Sequence, residues 1–238
     1  MHCYRPINPI QAITFDLDDT LYDNVPHMEQ ALNAMMKEIQ KVDGLQQATL
    51  SEFDQIKHAL TIDDPSIYHD VTRWRTKSIY QFLKVNGIND SQIINNITDN
   101  AMNAFIYWRN QINVPQASLN LLEKLAERYP LAIISNGNAD VNKIGLSDYF
   151  QFSLRSGVDG LSKPYSDMFH LASHRLKISP EHILHVGDNL NTDVIGAINS
   201  GMMACWLQIS HINIYQQPET RLLPHFSITD LFKLNFLL

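Results

Sequence analysis

Cysteine is scarce in this 238-residue sequence, which contains only Cys3 and Cys205. Two cysteines cannot build a disulfide scaffold, and their scarcity fits a reducing compartment. Basic residues are also few, because 18 Lys and Arg stand against 25 Asp and Glu, giving a formal net charge of −7. We therefore expect no basic field that would gather nucleic acid or anionic lipid.

Long apolar runs are missing from the sequence as well. No stretch approaches the roughly 18 apolar residues of a membrane span, and residues 1–10 contain no apolar stretch suited to a signal peptide. We therefore expect a cytoplasmic protein. The remaining composition is ordinary for a globular chain. At about 150 residues per domain, the length of the chain predicts one or two domains.

The periodicity of apolar residues divides the chain into three parts. Residues 12–15 form a short apolar run that favours a strand and stops at the polar segment 16–20. From about residue 25 to 112 the spacing predicts four amphipathic helices, and we expect Ser51 to cap the second of them. Four such helices in sequence indicate a small helical bundle, inserted as one unit into the rest of the chain. We assign residues 22–112 to this unit.

After Pro115 the pattern alternates between strands and helices. Repeated βα units predict a parallel sheet covered by helices on both faces. The fold class is therefore α/β, with a Rossmann-like core at residues 1–21 and 113–238 and an inserted four-helix unit. The strands predicted after Pro115 are 131–134, 150–154, 183–186 and 203–207.

Polar side chains follow three of the predicted strands, at the point where each strand ends. They are Asp16, Asp18 and Thr20 after the first strand, Ser135 and Asn136 after the second, and Asp188 and then Asp193 after the strand at 183–186. A parallel sheet brings the carboxyl ends of its strands to one edge. We therefore expect these three groups to converge at one site.

The carboxylates of this site point to a metal ion. Asp16 and Asp18 are two residues apart, so both can face one pocket while Leu17 turns into the core. Asp188 adds a third carboxylate, and three carboxylates without a counter-ion would repel one another and take up protons. A hard divalent cation removes this repulsion, and ligation by oxygen alone favours Mg²⁺. We predict Asp16, Asp18 and Asp188 as its ligands.

Groups that can bind a phosphate surround these carboxylates. Backbone N–H groups in the turn after Asp16 can form an anion-binding nest, and the Ser135 hydroxyl and Asn136 amide can add donors. Lys163 lies in the loop segment 160–164, from which an ammonium could reach the same oxygens. This set of groups is typical of phosphoryl transfer.

Four motifs resemble, in order, those of the haloacid dehalogenase-like hydrolases. They are Asp-x-Asp-x-Thr at 16–20, Ser-Asn-Gly at 135–137, Lys-Pro at 163–164, and Gly-Asp at 187–188 with Asp193 five residues later. One motif alone would be weak, whereas four in order across the whole core are specific. The resemblance implies a magnesium-dependent hydrolase whose helical insert is a cap domain that closes over the substrate.

For the first motif, the resemblance implies that Asp16 is the nucleophile and forms an aspartyl-phosphate. Asp18 would protonate the leaving alkoxide and then activate the hydrolytic water, and its backbone carbonyl would bind the magnesium ion. Thr20 would brace the turn. Dehalogenating members of the family lack an acid two residues after the nucleophile, because a halide leaves without a proton. Asp18 therefore favours a phosphatase.

For the other motifs, the resemblance implies that Ser135 and Lys163 hold the phosphoryl oxygens. Asp188 would bind the metal, and Asp193 would support Lys163 or a metal-bound water. Asn189 stands where many members have another Asp or a Ser. It could take part in metal binding only as a neutral oxygen donor or through a water.

Three further segments resemble a branch of bacterial phosphatases associated with 5-amino-6-(5-phosphoribitylamino)uracil and FMN. They are residues 15–24, 68–75 and 221–225. This narrower resemblance implies a small phosphate monoester of the riboflavin pathway as the substrate.

Arg73, Trp74 and Arg75 are the candidates for substrate specificity within the helical insert. An aromatic ring between two guanidinium groups could stack on a flat ring and hold a phosphate. The alternative is that Trp74 packs inside the insert while both arginines are surface charges.

Two other functions fit parts of the pattern. A phosphomutase would pass the phosphoryl group to a second hydroxyl and not to water. A phosphoacceptor signalling module similar to a receiver domain also uses Asp, Mg²⁺, a hydroxyl and Lys. The large insert and the order of the acidic residues count against the receiver. The sequence leaves the oligomeric state open.

Overall fold

The apolar run Ala12–Phe15 forms a strand whose four residues are all buried, as expected for a strand covered on both faces. In the computed structural model this strand lies within a sheet of seven described strands. We number them in chain order as β1 (His2–Cys3), β2 (Ala12–Phe15), β3 (Leu131–Ser135), β4 (Phe152–Arg155), β5 (Ile183–Gly187), β6 (Met203–Leu207) and β7 (Phe226–Ile228).

The order across the sheet is β1-β7-β6-β5-β2-β3-β4. β1 and β7 pair antiparallel, and the other neighbouring strands pair parallel. β2 lies between β3 and β5, so the carboxyl ends of these three strands are adjacent at one edge of the sheet. The predicted α/β fold with a parallel sheet is confirmed.

The described residues are 1–208, 214 and 222–238, and they divide into two units. The sheet unit consists of Met1–Asp23, Asn113–Gly137 and Ile144–Leu238, and the helical unit consists of Asn24–Ile112 and Asn138–Lys143. Among the helices of the described residues, none is both long enough and apolar enough to cross a membrane. In the segment 221–225, which carried part of the narrower resemblance, Arg221 lies outside the described residues.

The helical unit contains the four predicted helices, which share one apolar core. They are α1 (Val25–Ile39), α2 (Leu50–Asp63), α3 (Val71–Val85) and α4 (Ser91–Arg109). The predicted cap of α2 was wrong. Its N-cap is Thr49, which forms a capping box with Glu52. This pair satisfies two backbone N–H groups at once, so the helix begins before Ser51.

Residues 138–143 belong to the helical unit, whereas the sequence analysis assigned them to the core. The Asn138 amide donates to the Thr72 hydroxyl over 3.2 Å, and the Asp140 backbone N–H donates to the Asn110 side-chain oxygen over 2.7 Å. Hydrogen bonds between segments so distant in sequence leave no periodic pattern in the amino-acid sequence, so this assignment could not be predicted.

The sheet unit adds helices between its strands. They are α5 (Gln116–Ala126), α6 (Asp167–Leu176) and α7 (Gly196–Asn199), the last preceded by a π-helical segment, Leu190–Ile195. β4 begins at Phe152 and not at residue 150, and the short strands β1 and β7 were not predicted. Strands of two and three residues are too short to show an alternating pattern.

Candidate active site

Polar residues from separate segments converge at the carboxyl ends of β2, β3 and β5, within the sheet unit. Asp16 directly follows β2, Ser135 is the last residue of β3, and Asp188 directly follows β5. Lys163 comes from the loop between β4 and α6, and its ammonium lies 2.6 Å from Asp16 Oδ1. Asp193 contacts the same ammonium from the π-helical segment. The structure thus brings together side chains that are up to 177 positions apart.

The ammonium of Lys163 uses all three of its donors inside the protein. Nζ donates to Asp16 Oδ1 and Asp193 Oδ1, each over 2.6 Å, and to the Ile134 carbonyl over 2.7 Å. Burial opposes the charged form, but the carboxylates of Asp16 and Asp193 outweigh it and raise the pKa of Lys163 above its ordinary value. Lys163 is therefore a fixed positive charge beside Asp16.

Asp16 is a buried carboxyl group with other carboxyl groups close to it. Burial raises its pKa well above the ordinary 3.8, and the charges of Asp193 and Asp18 add to this increase, although Lys163 opposes it. One ammonium faces the carboxylates of Asp16, Asp188 and Asp193. When all three carboxylates are ionised, the cluster has a net charge of −2, which one divalent cation would neutralise.

The position and charge of Asp188 fit a metal ligand. The Trp206 indole N–H donates to the Asp188 carbonyl over 2.7 Å and fixes the backbone. The Thr20 hydroxyl lies 3.4 Å from Asp16 Oδ2 and 3.5 Å from Asp188 Oδ1, so it bridges the two carboxylates. Burial, followed by the charges of Asp193 and Asp19, raises the pKa of Asp188 to about 7.

A metal ion would fit between Asp16 and Asp188. Ligand oxygens of Asp16, Asp188 and Asp193 lie within 4.8 Å of one another. Asp193 already accepts hydrogen bonds at both oxygens, from Lys163 and His185 at Oδ1 and from the Asn189 N–H at Oδ2. Asp16 Oδ2 and Asp188 Oδ1 are less firmly engaged, since they accept from the Thr20 hydroxyl over 3.4 and 3.5 Å. These two oxygens are therefore the candidates for a cation, and an all-oxygen set suits Mg²⁺.

The turn after Asp16 explains how the first motif is shaped. Asp19 has a φ of 59°, a left-handed conformation that Asp tolerates better than most residues. The turn returns the chain so that Thr20 reaches Asp16, while Leu17 is buried in the core. Asp18 is half-buried and accepts a hydrogen bond from the Tyr22 hydroxyl over 2.7 Å. Its side chain is not part of the carboxylate cluster, and metal binding by its carbonyl stays a prediction.

Asn136 has a structural role that the sequence did not predict. Its amide nitrogen donates to the Lys163 carbonyl over 3.0 Å, and its oxygen accepts from the Lys163 N–H over 2.7 Å. The side chain therefore holds the backbone of Lys163 in place and uses one of its two amide N–H groups to do so; phosphate binding by Asn136 stays a prediction. Ser135 is buried, and its oxygen accepts from the Gly137 N–H over 2.9 Å, so its hydroxyl hydrogen remains available for donation.

Asn189 acts as the N-cap of the π-helical segment. Its side-chain oxygen accepts from the backbone N–H groups of Asn191 and Thr192 over 2.9 and 3.0 Å. These bonds use the oxygen that we considered as a neutral metal ligand. Capping is therefore the role that the structure shows for Asn189.

A model of the haloacid dehalogenase-like hydrolase family matches residues 10–201, which include all four motifs of the site. The chain belongs to the haloacid dehalogenase-like hydrolases. The resemblance stated from the sequence is therefore confirmed.

Named relatives of this hydrolase include phosphatases. It is 43% identical over 239 residues to "5-amino-6-(5-phospho-D-ribitylamino)uracil phosphatase YigB" of Escherichia coli (strain K12), with 100% of both chains covered. It is 26% identical to a glyceraldehyde 3-phosphate phosphatase of Pyrococcus furiosus, covering 84% of this chain and 81% of the other. The prediction of a phosphatase-type enzyme is confirmed by these relationships.

A solved structure also resembles this hydrolase closely. It bears the name 2-haloacid dehalogenase, from Pseudomonas syringae pv. Tomato DC3000. The two have a TM-score of 0.85 and 31% identity, with 95% of this chain and 97% of that chain covered. The family fold therefore extends over nearly the whole hydrolase.

The three specificity candidates in the helical unit differ in their surroundings. Arg73 is exposed and pairs with Asp64 over 3.3 Å. The Trp74 indole N–H donates to the Lys57 carbonyl over 2.8 Å, and the Lys57 ammonium lies 4.3 Å from the centre of the ring. One face of Trp74 is therefore already covered by a cation.

Arg75 is buried, so the alternative that both arginines are surface charges was wrong for this residue. It is 6% exposed, and its guanidinium carbon lies 3.7 Å from the centre of the Phe105 ring. Burial and the charge of Arg109 lower its pKa to about 10. Its Nε and Nη1 have no hydrogen-bond partner among the described residues.

Two residues of the hydrolase site escaped the sequence analysis. His185 hydrogen-bonds to Asp193 from inside β5, and Asp19 shapes the first turn. His185 stands in the apolar run Ile183–Val186, where a lone polar residue was the available signal. Asp19 follows Asp18 in a turn, and the tolerance of Asp for positive φ could have indicated its conformation.

Proposed function

We propose that this hydrolase is a Mg²⁺-dependent phosphatase that cleaves small phosphate monoesters through an aspartyl-phosphate on Asp16. The observation that supports this function best is the acidic cluster of Asp16, Asp188 and Asp193 around the single Lys163 ammonium. When bound by Asp16 and Asp188, Mg²⁺ would neutralise charge and orient a phosphoryl group.

In the first half of the reaction, a carboxylate oxygen of Asp16 attacks phosphorus as the bond from phosphorus to the ester oxygen breaks. Asp18 donates a proton to the departing alkoxide. In the second half, Asp18 takes a proton from water as that water attacks the aspartyl-phosphate. Inorganic phosphate leaves and the Asp16 carboxylate is restored. Lys163 remains charged and compensates the negative charge beside Asp16 throughout.

The proposed substrates follow the named relatives. Full-length similarity to a 5-amino-6-(5-phospho-D-ribitylamino)uracil phosphatase supports that phosphate ester, or FMN, as a substrate in the riboflavin pathway. We further propose that residues 22–112 act as a cap that selects the substrate and limits access of water. A cytoplasmic location stays a prediction.

Dehalogenation is the competing reaction that the structural neighbour suggests. Asp18 argues for the phosphatase, because cleavage of an alkyl phosphate needs a proton donor and release of a halide does not. Its carboxyl group lies two residues after Asp16 and is held by the Tyr22 hydroxyl.

The proposed function is tested with a panel of phosphate monoesters containing FMN, the ribitylaminouracil phosphate and a hexose phosphate, and with a 2-haloacid in parallel. Release of phosphate and halide is measured with Mg²⁺ and after treatment with a chelator. We expect phosphate release that requires Mg²⁺, and no halide release. Phosphate release that persists after chelation would contradict the magnesium requirement, and transfer of the phosphoryl group to a second sugar hydroxyl would identify a mutase.

Magnesium affinity is expected to rise with pH. Asp188, with a pKa of about 7 in the metal-free protein, must lose its proton before it can bind a cation. A single proton with this pKa makes the dissociation constant at pH 6 about tenfold larger than at pH 8. Isothermal titration at pH 6, 7 and 8 measures this change, and buffers of different ionisation enthalpy count the protons released.

Asp19→Asn is a matched control for the magnesium titration. It keeps a residue that tolerates positive φ but removes a charge that raises the pKa of Asp188. The pH dependence should therefore move to lower pH. A dissociation constant that is unchanged between pH 6 and pH 8 would contradict the assignment of Asp188 as a ligand.

Arg75 is the residue that we propose as the polar contact of the helical unit with substrate. Unpaired buried donors cost about 1–3 kcal/mol, so Arg75→Met should increase the free energy of unfolding. The same variant should raise KM for the preferred ester about tenfold and change kcat little. Denaturant unfolding and steady-state kinetics measure both effects.

Arg73→Met serves as the control for Arg75, because Arg73 is exposed and its ion pair with Asp64 is at the surface. Changes at such positions usually stay within about 0.5 kcal/mol. If Arg75→Met leaves KM unchanged for every ester in the panel, Arg75 has no part in specificity.

A further inference from the structure

His185 lies inside β5 with both ring nitrogens engaged, and the mechanism proposed above does not use it. Its Nε2 is 3.1 Å from Asp193 Oδ1, and its Nδ1 is 2.9 Å from the Thr14 hydroxyl oxygen. The ring also packs edge-on against Phe169, with 5.1 Å between the ring centres. Since His185 is 1% exposed, these contacts fix the imidazole in one orientation.

The partners of His185 determine which nitrogen carries the proton. A carboxylate only accepts hydrogen bonds, so Nε2 donates to Asp193. Burial of the ring disfavours its charged form, and the Lys163 ammonium, which shares Asp193 Oδ1 with the ring, also repels a second cation. Together these effects outweigh the attraction of the Asp193 carboxylate and lower the pKa of His185, so the ring is neutral. Nδ1 then offers a lone pair, to which the Thr14 hydroxyl donates.

These bonds join the centre of the sheet to the proposed nucleophile. Thr14 donates to His185, His185 donates to Asp193, and Lys163 donates to both Asp193 and Asp16. Thr14 and His185 lie directly opposite each other in the parallel pair of β2 and β5. The chain of hydrogen bonds therefore begins at a fixed register of two central strands.

Asp193 is also confined from the side of the backbone. Its Oδ2 accepts from the Asn189 N–H over 3.0 Å. A Cβ placed on Gly187 would lie 2.5 Å from Asp193 Cβ, so the carboxyl group packs directly on the Gly187 backbone. The bond from His185 holds the other oxygen, Oδ1, and so secures the rotation of the carboxylate in which Oδ1 meets Lys163.

We propose that His185, oriented by Thr14, is a positioning residue for the phosphatase reaction, because it holds Asp193 in the rotation that keeps Lys163 against Asp16. This inference rests on the proposed function. A purely structural role would be served by two apolar residues at these positions, because the neighbouring strand residues Ile13, Phe15 and Leu184 are apolar and buried.

Two pairs of variants test the positioning role. Thr14→Val removes the hydroxyl donor with little change of shape, whereas Thr14→Ser retains the hydroxyl. His185→Leu removes the ring donor, and His185→Gln retains a donor near Nε2. We expect Thr14→Val and His185→Leu to lower kcat by about 10–100-fold with little change in KM, and the conservative variants to recover most of it. Thr61→Val, in α2, is the matched control.

A second measurement does not depend on activity. In protein labelled with ¹⁵N-histidine, the ring shifts report the tautomer of His185, and we expect a proton on Nε2 in the wild type and a mixture of tautomers in Thr14→Val. This variant keeps the proposal testable if His185→Leu does not fold. Wild-type kcat in Thr14→Val, or a wild-type proton on Nδ1, would overturn the proposal. A wild type with the expected tautomer but no phosphatase activity would overturn the proposed function instead.

Discussion

Asp16→Asn should abolish phosphate release, with a loss on the order of 10⁵-fold or more in kcat. The amide is a poor nucleophile, so the aspartyl-phosphate would not form. The fold should persist, because Asn matches the size of Asp and removes one of the carboxylates that crowd around Lys163. Phosphate release from the preferred ester and thermal unfolding measure both results.

Asp18→Asn is the companion variant that separates the nucleophile from the general acid. An ester with a good leaving group needs no protonation, so this variant should still release one equivalent of p-nitrophenol in a rapid burst. The phosphoryl group should then stay on Asp16, because no base activates water. Undiminished turnover of alkyl esters by Asp16→Asn would reject Asp16 as the nucleophile.

Lys163→Met should be the most destabilising single change in the site. It leaves the buried carboxylates of Asp16 and Asp193 without their cation, and removal of one partner from a buried ion pair costs about 3–5 kcal/mol. Activity should fall on the order of 10³-fold, because a fixed charge beside the reacting phosphoryl group is lost. Denaturant unfolding in the presence of chelator, followed by kinetics with Mg²⁺, measures the two effects.

A second substitution distinguishes charge from packing in that variant. Adding Asp193→Asn to Lys163→Met removes one of the stranded carboxylates, so stability should recover by more than about 1 kcal/mol while activity stays low. Lys124→Met, at an exposed position of α5, is the control and should change little. Equal stability of Lys163→Met and Lys124→Met would show that the ammonium is not needed for charge balance.

Much of the sheet could be predicted from the sequence because its central strands are buried on both faces. Such strands appear as continuous apolar runs, and the residues of β6, Met203–Leu207, were predicted in full. Their order also explains why the motif residues meet, since β2 lies between β3 and β5. The short strands β1 and β7 lack this signal, because pairing in three dimensions and not a local pattern defines them.

The site could be predicted as a set of residues but not as a set of contacts. The sequence suggested Asn136 as a phosphate ligand but did not show that its amide also holds the backbone of Lys163. It left open whether Arg75 was exposed, because the apolar spacing of α3 gives no sign of a guanidinium stacked on Phe105. Such pairings depend on the packing of separate elements, which local patterns do not encode.

The hydrogen bond from Trp206 to the Asp188 carbonyl gives the protein an optical reporter. An indole whose N–H is bonded to the backbone of the proposed metal ligand Asp188 should change its fluorescence when a cation enters. The other two tryptophans of the sequence, Trp74 and Trp108, lie in the helical unit. With both replaced by Phe, emission from Trp206 alone would follow cation entry in real time, without substrate or any attached dye.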